Sequence, residues 1–176
     1  MGKRELANLN MNATGRIVKA GIEFEKNRIL EQVVPLKNGK NHKKCLCHIH
    51  DLEYYDSTYN CIGVSAGDLI GTCDISLKKA IRRLHRGIVE LTNIQSGGIG
   101  FLNFDEDLKD YVSNENDEEI EEELNQLFCD LNMYSRKGCE KAYVTFNFGL
   151  SVTEKGRRIA KAMLSAYEMG DEEGLP

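Results

Sequence analysis

Apolar positions along the chain fall into two periodicities, one helical and one extended. Between Ser76 and Asn93, the residues Leu77, Ala80, Ile81, Leu84, Ile88 and Leu91 recur at steps of three and four, while Lys78, Lys79, Arg82, Arg83 and Arg86 take the other face. This predicts an amphipathic helix with Ser76 as its N-cap, where a hydroxyl can accept from the first free backbone N–H groups. Ile17, Val18, Ala20, Gly21, Ile22, Phe24, Ile29, Leu30 and Val33 predict a second helix over Thr14–Val34, ending before Pro35. A third stripe, Ile120, Leu124, Leu127, Phe128 and Leu131, follows Asp117 as cap. Its early Glu118, Glu119, Glu121 and Glu122 suit the positive end of a helix dipole. Thr153 and Glu154 open a last helix with Ile159, Ala160, Met163, Leu164 and Tyr167 on one face and Gly170 as its stop.

Two short runs rich in aromatic and β-branched residues, Tyr59–Val64 and Ala142–Phe148, predict strands, with Gly149 turning the chain after the second. The polar, basic stretch Lys37–Lys44 reads as an exposed loop. Gln95–Gly100 reads as another, because each glycine costs roughly 1 kcal/mol in a helix relative to alanine. Helices and strands alternate, which favours an α/β fold with parallel strand neighbours. The acidic run Glu115–Glu123 is most simply a solvated helix face.

At 176 residues the chain has the size of one domain, long enough for its own core but short for an enzyme needing several catalytic lobes. Residues 1–176 are therefore taken as one unit. Apolar residues make up 41% and charged residues 29%, near the values of soluble proteins, and no apolar run reaches the roughly eighteen residues needed to span a bilayer. No signal-peptide pattern opens the chain, so a cytoplasmic location with six reduced cysteines is expected. A net charge of -5 gives no general attraction to nucleic acid. Nucleic-acid and membrane partners are not expected. A single nucleotide can still bind, because the chemistry of a local pocket is independent of net charge.

The densest chemistry lies in Cys45-Leu46-Cys47-His48-Ile49-His50-Asp51, where two thiols, two imidazoles and a carboxylate fall within seven positions, all groups able to bind a soft or borderline metal. Zinc sites usually pair ligands through two to four intervening residues and add a distant second pair, a spacing this segment lacks. No metal ligand is assigned, although a metal-binding role for Cys45, Cys47, His48 and His50 stays open. If the segment is extended, His48 and His50 share a face and can hydrogen-bond a polyol or phosphate; otherwise they are structural histidines. Cys61 read alone is a small buried hydrophobe. Gly97-Gly98 read alone is a turn, or a place where backbone N–H groups approach a phosphate.

Four stretches together carry a resemblance. His48-Ile49-His50-Asp51-Leu52-Glu53-Tyr54-Tyr55 followed by Asn60-Cys61, Asn8–Asn12, Gln95–Phe101 and Arg136–Leu150 resemble, in the same order, segments of the anaerobic (class III) ribonucleoside-triphosphate reductases of the glycyl-radical enzyme superfamily. The resemblance implies a fold made from the opening part of a ten-stranded α/β barrel built of two half-barrels. It implies that Asn60 and Cys61 lie on the first barrel strand facing the ribose. Asn60 would bind substrate hydroxyls, and Cys61 would be the thiol that works with formate in reducing the ribose 2′ carbon. It further implies that His48 and His50 order the substrate pocket, with Gly97 and Gly98 in a loop near substrate or effector. Such chemistry needs a hydrogen-atom donor with a weak S–H bond and an uncharged group that both donates and accepts. Cys45, Cys47, Cys73, Cys129 and Cys139 match no catalytic position and are assigned structural roles.

The resemblance also implies a ribonucleoside triphosphate as substrate, dNTP or ATP effectors, a radical-SAM activase, and a glycyl radical with formate in the complete enzyme. No cofactor is assigned to this chain. No Arg-Val-Cys/Ser-Gly-Tyr-like segment, terminal cysteine array or preceding ATP-cone-like region is identified, so the chain alone is expected not to generate a radical. A cut or split reductase, or a catalytically silent binding or metal-binding module derived from it, are the alternatives. Half a barrel exposes apolar faces, so a complementary C-terminal half or self-association is expected.

Overall fold

The computed structural model describes residues 13–71, 74–136 and 140–171. The chain opens with α1 (Ala13–Arg28), one π-helical turn (Ile29–Val33), α2 (Leu36–Lys43) and a 3-10 turn (Leu52–Tyr54). Then come β1 (Ile62–Val64), α3 (Ala66–Ile70), α4 (Leu77–Thr92), β2 (Ile99–Phe101), α5 (Phe104–Leu108), and a 3-10 turn (Lys109–Tyr111). The rest is α6 (Asp117–Leu131), β3 (Tyr134–Arg136), β4 (Glu140–Lys141), β5 (Val144–Phe146) and α7 (Glu154–Met169).

Strands β1, β2 and β5 form a parallel sheet in that order, with Ile62, Ile99 and Val144 in one row and Val64, Phe101 and Phe146 in another. Each crossover between neighbours carries helices, as parallel pairing requires. The fold is thus mixed α/β with a parallel sheet. Strands β3 and β4 pair separately as an antiparallel ribbon.

One face of the sheet meets the helices. Ile99 and Phe101 are fully buried there with Leu77, Leu84 and Ile88 of α4, Ile120, Leu124 and Leu127 of α6, and Ile159 and Met163 of α7. Phe146 stacks on Phe101 with ring centroids 5.4 Å apart and meets Phe104 at 4.5 Å. Each such side chain contributes about 1.5–3 kcal/mol by leaving water, so this cluster dominates the stability of the fold. Alternation sends Gly63, Gly100 and Thr145 to the opposite face. A second, small cluster of Ile29, Leu30, Val34 and Leu52, with Ile49 against it, secures the N-terminal helices and the segment that follows them.

Local signals explain most helix ends. Ser76 caps α4 by accepting from the Lys79 N–H, and Thr153 caps α7 by accepting from Gly156. Gly170 ends α7 at φ 71°, a left-handed value that glycine adopts without a Cβ penalty. For α6 the cap is Asn116 rather than Asp117. Its side chain accepts from the Glu119 N–H while the Glu119 carboxylate accepts from the Asn116 N–H, a reciprocal box that Asp117 cannot complete.

Other expectations need correction. The stretch expected as a loop at Lys37–Lys44 is helix α2, led by Pro35, and its buried Gly39 packs on the π turn where a Cβ would lie 3.1 Å from the Leu30 carbonyl. The helix expected over Thr14–Val34 gives way to a π turn at Ile29, closed by the Val34 N–H donating to the Ile29 carbonyl. The glycine-rich Gln95–Gly100 leads into the central strand β2, because two parallel neighbours outweigh glycine's poor strand propensity. The first strand is shorter than Tyr59–Val64, leaving Asn60 and Cys61 just ahead of β1, and β5 is shorter than Ala142–Phe148. Helices α3 and α5 span five residues each, too short to leave a periodic trace. No helix among the described residues is long and apolar enough to cross a membrane.

Candidate functional site

The segment after α2 is bent by two non-glycine residues in the left-handed region, Cys45 at φ 57° and Asp51 at φ 45°. Such a conformation costs roughly 1–2 kcal/mol for an ordinary L-residue and less for Asp, whose short carboxylate bonds locally. The bend is held from both sides. Leu52 and Ile49 pack into the small N-terminal cluster, and the Ile49 N–H donates to His42 Nδ1 at 3.1 Å. With Ile49 turned inward, His48 and His50 are exposed. Their rings are 6.0 Å apart, and His42 stands 5.7 Å beyond His48.

From these imidazoles a continuous polar chain leads to the thiol. His50 Nε2 lies 3.4 Å from Asp51 Oδ1, and the other Asp51 oxygen accepts from Asn60 Nδ2. Asn60 Oδ1 accepts from the Cys61 S–H at 2.9 Å, and the Cys61 sulfur accepts from the Gly98 N–H at 3.3 Å. Both partners of the sulfur are uncharged. A cavity of about 280 Å³ lies beside the histidine end, bordered by Lys26, His42, His48, His50 and Glu53.

Residues 58–61 are zipped to the loop ahead of β2. Thr58 donates to the Ile94 carbonyl at 2.6 Å, Ser96 N–H to Tyr59, and Gly97 N–H to the Asn60 carbonyl at 2.8 Å. Gly97 must be glycine for this approach: a Cβ there would lie 2.6 Å from the Asn60 carbonyl oxygen and 2.7 Å from the Cys61 sulfur. Ile62 N–H then donates to the Gly98 carbonyl and the regular ladder begins. The Gly98 amide is therefore spent on the thiol, not on a backbone carbonyl.

The structure thus brings Asn60, Cys61, Gly97 and Gly98 into direct contact and links His50 to them through Asp51, with the His48 ring standing 6.0 Å from that of His50. Cys61 is exposed, unlike the buried small hydrophobe that a strand cysteine read alone suggests. Sequence reasoning assigned no role to Asp51 or His42, because their parts depend on a bend and on contacts that no spacing encodes. Cys45 and Cys47 are exposed free thiols, and Cys129 is half-buried beside Asn125. Cys73, Cys139 and the Asn8–Asn12 stretch lie outside the described residues. Among the described residues no three His, Cys, Asp or Glu side chains converge closely enough to hold a metal ion.

An exposed thiol hydrogen-bonded to a carboxamide, with polar groups leading away from it, can deliver a hydrogen atom to a sugar held by that amide. A comparison with curated proteins found no match. The family model described as anaerobic ribonucleoside-triphosphate reductase, by contrast, matches residues 5–176. That span contains every residue of the site, and the chain belongs to the anaerobic ribonucleoside-triphosphate reductase family.

Proposed function

We propose that this chain forms the sugar-binding part of a ribonucleoside-triphosphate reductase. In this reading its parallel sheet is the opening portion of the catalytic barrel. The observation that carries the reading is the unbroken contact from His50 through Asp51 and Asn60 to the Cys61 thiol. The net reaction breaks the ribose 2′ C–O bond, releases the oxygen as water and places hydrogen on carbon, while formate is oxidised to carbon dioxide. A glycyl radical, formed by a radical-SAM activase, supplies the unpaired electron, and formate supplies the two reducing electrons.

The residues of this chain hold the sugar and the hydrogen. Asn60 carries a second N–H and a second oxygen lone pair beyond those engaged by Asp51 and Cys61, enough to bind two ribose hydroxyls. Asp51 keeps that amide oriented by accepting from its N–H. Cys61 presents its S–H toward one lone pair of Asn60 Oδ1, leaving the other for a ribose hydroxyl beside the thiol. His48 and His50 border the approach, and Gly97 lets the two loops meet.

The chain alone is inactive in this reading and needs a complementary half or a second copy. In support, an apolar groove of about 550 Å³ runs along the outer strand β5, lined by Phe128, Val144, Phe146, Phe148, Met163 and Tyr167. Nucleotide effectors would act on the assembled enzyme.

The test is anaerobic mixing of this chain with a complementary half and an activase, followed by assay of deoxyribonucleotide and of the glycyl radical signal. Cys61→Ser and Asn60→Ala should assemble and carry the radical but lose turnover by about 100-fold or more. Full turnover in either variant overturns the role given to that residue.

A further inference from the structure

We propose that His42 is a positioning residue for His48 and His50, and that it holds them only as the neutral imidazole, so that acid releases the histidine end of the site. The functional weight of this tether rests on the preceding reading that a sugar binds beside those rings.

The chain between α2 and the 3-10 turn at Leu52 has little else to hold it. Six consecutive residues, Lys43–His48, are exposed. The last backbone bond from α2 to this stretch joins the Leu46 N–H to the Asn41 carbonyl. From Cys47 to Asp51, among the described residues, one backbone N–H is hydrogen-bonded, that of Ile49, and its acceptor is His42 Nδ1 at 3.1 Å. Ile49 is also the residue of this stretch whose side chain packs against Ile29, Leu30, Val34 and Leu52. Its neighbours in sequence are His48 and His50, so a bond at the Ile49 amide sets where both rings stand. His42 itself is a fixed post. It lies in the last turn of α2, and α2 is seated on the π turn through Gly39, where a Cβ would lie 3.1 Å from the Leu30 carbonyl oxygen.

An imidazole nitrogen accepts a hydrogen bond only while it carries a lone pair. The Ile49 contact therefore puts the proton of neutral His42 on Nε2. A second proton has to go to Nδ1, where it turns the acceptor into a donor pointed at another N–H. The bond is then lost, and the half-buried Ile49 amide is left without its partner. Around the ring stand Lys26 of α1, Glu53 of the 3-10 turn, and His48, His50 and Asp51 of the segment itself, with Lys40 and Lys43 on its own turn of α2. Glu53 already faces Lys26 at 3.8 Å, and Asp51 already faces His50 and Asn60. The His48 ring, 5.7 Å from that of His42, repels it once both are charged.

The experiment follows the Ile49 amide of the purified chain by NMR, as its hydrogen exchange relative to a free amide at the same pH, at about pH 8 and about pH 5, the two ends of the range in which imidazoles change charge. In the wild type, exchange should be slowed about five- to tenfold at the higher pH, with the slowing lost at the lower. His42→Asn places Oδ1 where Nδ1 stands and stays an acceptor in acid, so it should keep the slowing at both; His42→Ala has no acceptor and should show it at neither. Equal loss in the wild type and His42→Asn on acidification, or slowing retained in His42→Ala, overturns the tether. Binding of ribose 5-phosphate at the higher pH reads the positioning: His42→Ala should weaken it by about fivefold and His42→Asn should restore it. Unchanged affinity in His42→Ala, with the slowing lost, overturns the positioning role. No binding of ribose 5-phosphate to the wild-type chain overturns the sugar-binding reading, and the exchange data still decide the tether.

Discussion

Asp51, held at φ 45°, accepts a hydrogen bond on its carboxylate from the side-chain amide of Asn60. A backbone conformation that few residues tolerate thus aims the group that orients the candidate sugar ligand, and one residue couples the shape of the histidine segment to the thiol.

Asp51→Asn and Asp51→Ala separate these two duties. Asparagine tolerates the left-handed region and keeps an acceptor for Asn60, so it should cost less than about 1 kcal/mol. Alanine loses both and should cost about 1–3 kcal/mol in urea denaturation. Equal stability of the two variants would show that neither duty matters to the fold.

The two glycines ahead of β2 should respond differently to the same change. Gly97→Ala drives a Cβ into the Asn60 backbone and the Cys61 sulfur, forcing the loops apart at a cost of about 1–3 kcal/mol. Gly98→Ala meets only ordinary contacts and should stay within about 0.5 kcal/mol of wild type. Thermal melts of the pair check this directly, and a reversed order would contradict the close approach at Gly97.

Asp105 is fully buried on α5, where one carboxylate oxygen accepts from the N–H groups of Gly149 and Ser151 at 2.9 and 3.0 Å. That contact fixes the turn between β5 and α7. Asp105→Ala leaves two amides without their acceptor and should cost about 2–4 kcal/mol, whereas Asp105→Asn retains an acceptor and should cost less. Chemical denaturation of both variants measures the difference.

Acid should loosen the contacts that tie the start of α6 to α4 and α7. The Arg158 guanidinium, hydrogen-bonded to Asp117 at 2.5 Å, holds that carboxyl below the usual 3.8. At Glu115, burial pushes the carboxyl up, but hydrogen bonds from the Ser113 and Leu77 amides outweigh it and hold the carboxyl below the usual 4.5. Both folded values lie beneath the unfolded ones, so these contributions are complete above the usual carboxylate range and are lost as pH falls through the lower folded values. Glu115→Gln and Asp117→Asn should therefore be less stable than wild type near neutrality, with the gap closing between about pH 5 and pH 2. Urea midpoints across that range check the sign; a gap that widens with acid would contradict it.

Helices α4, α6 and α7 were legible as elements, because an apolar stripe of helical period and a nearby capping side chain are local properties of a few consecutive residues; the details were not, since Asn116 rather than Asp117 caps α6, and α7 buries Ala162 and Ala166 where the sequence offered the exposed Leu164 and Tyr167. The chemical identity of the candidate site was legible too, in the wording around His48, Asn60, Cys61 and Gly97. The sequence by itself therefore determined which segments become helices, which groups are available for chemistry, and which family the chain resembles.

Tertiary structure decided what those groups touch. Strand β2 carries two weak strand formers' worth of glycine nearby and exists because β1 and β5 pair with it on either side. The Cys61–Gly98 contact joins residues 37 apart, and the row of Ile62, Ile99 and Val144 depends on the register of three strands. That register is set by how α4, α6 and α7 pack their stripes on one face of the sheet. A buried apolar face resists slipping by one residue, because every side chain on it would change sides, and no single segment contains that constraint.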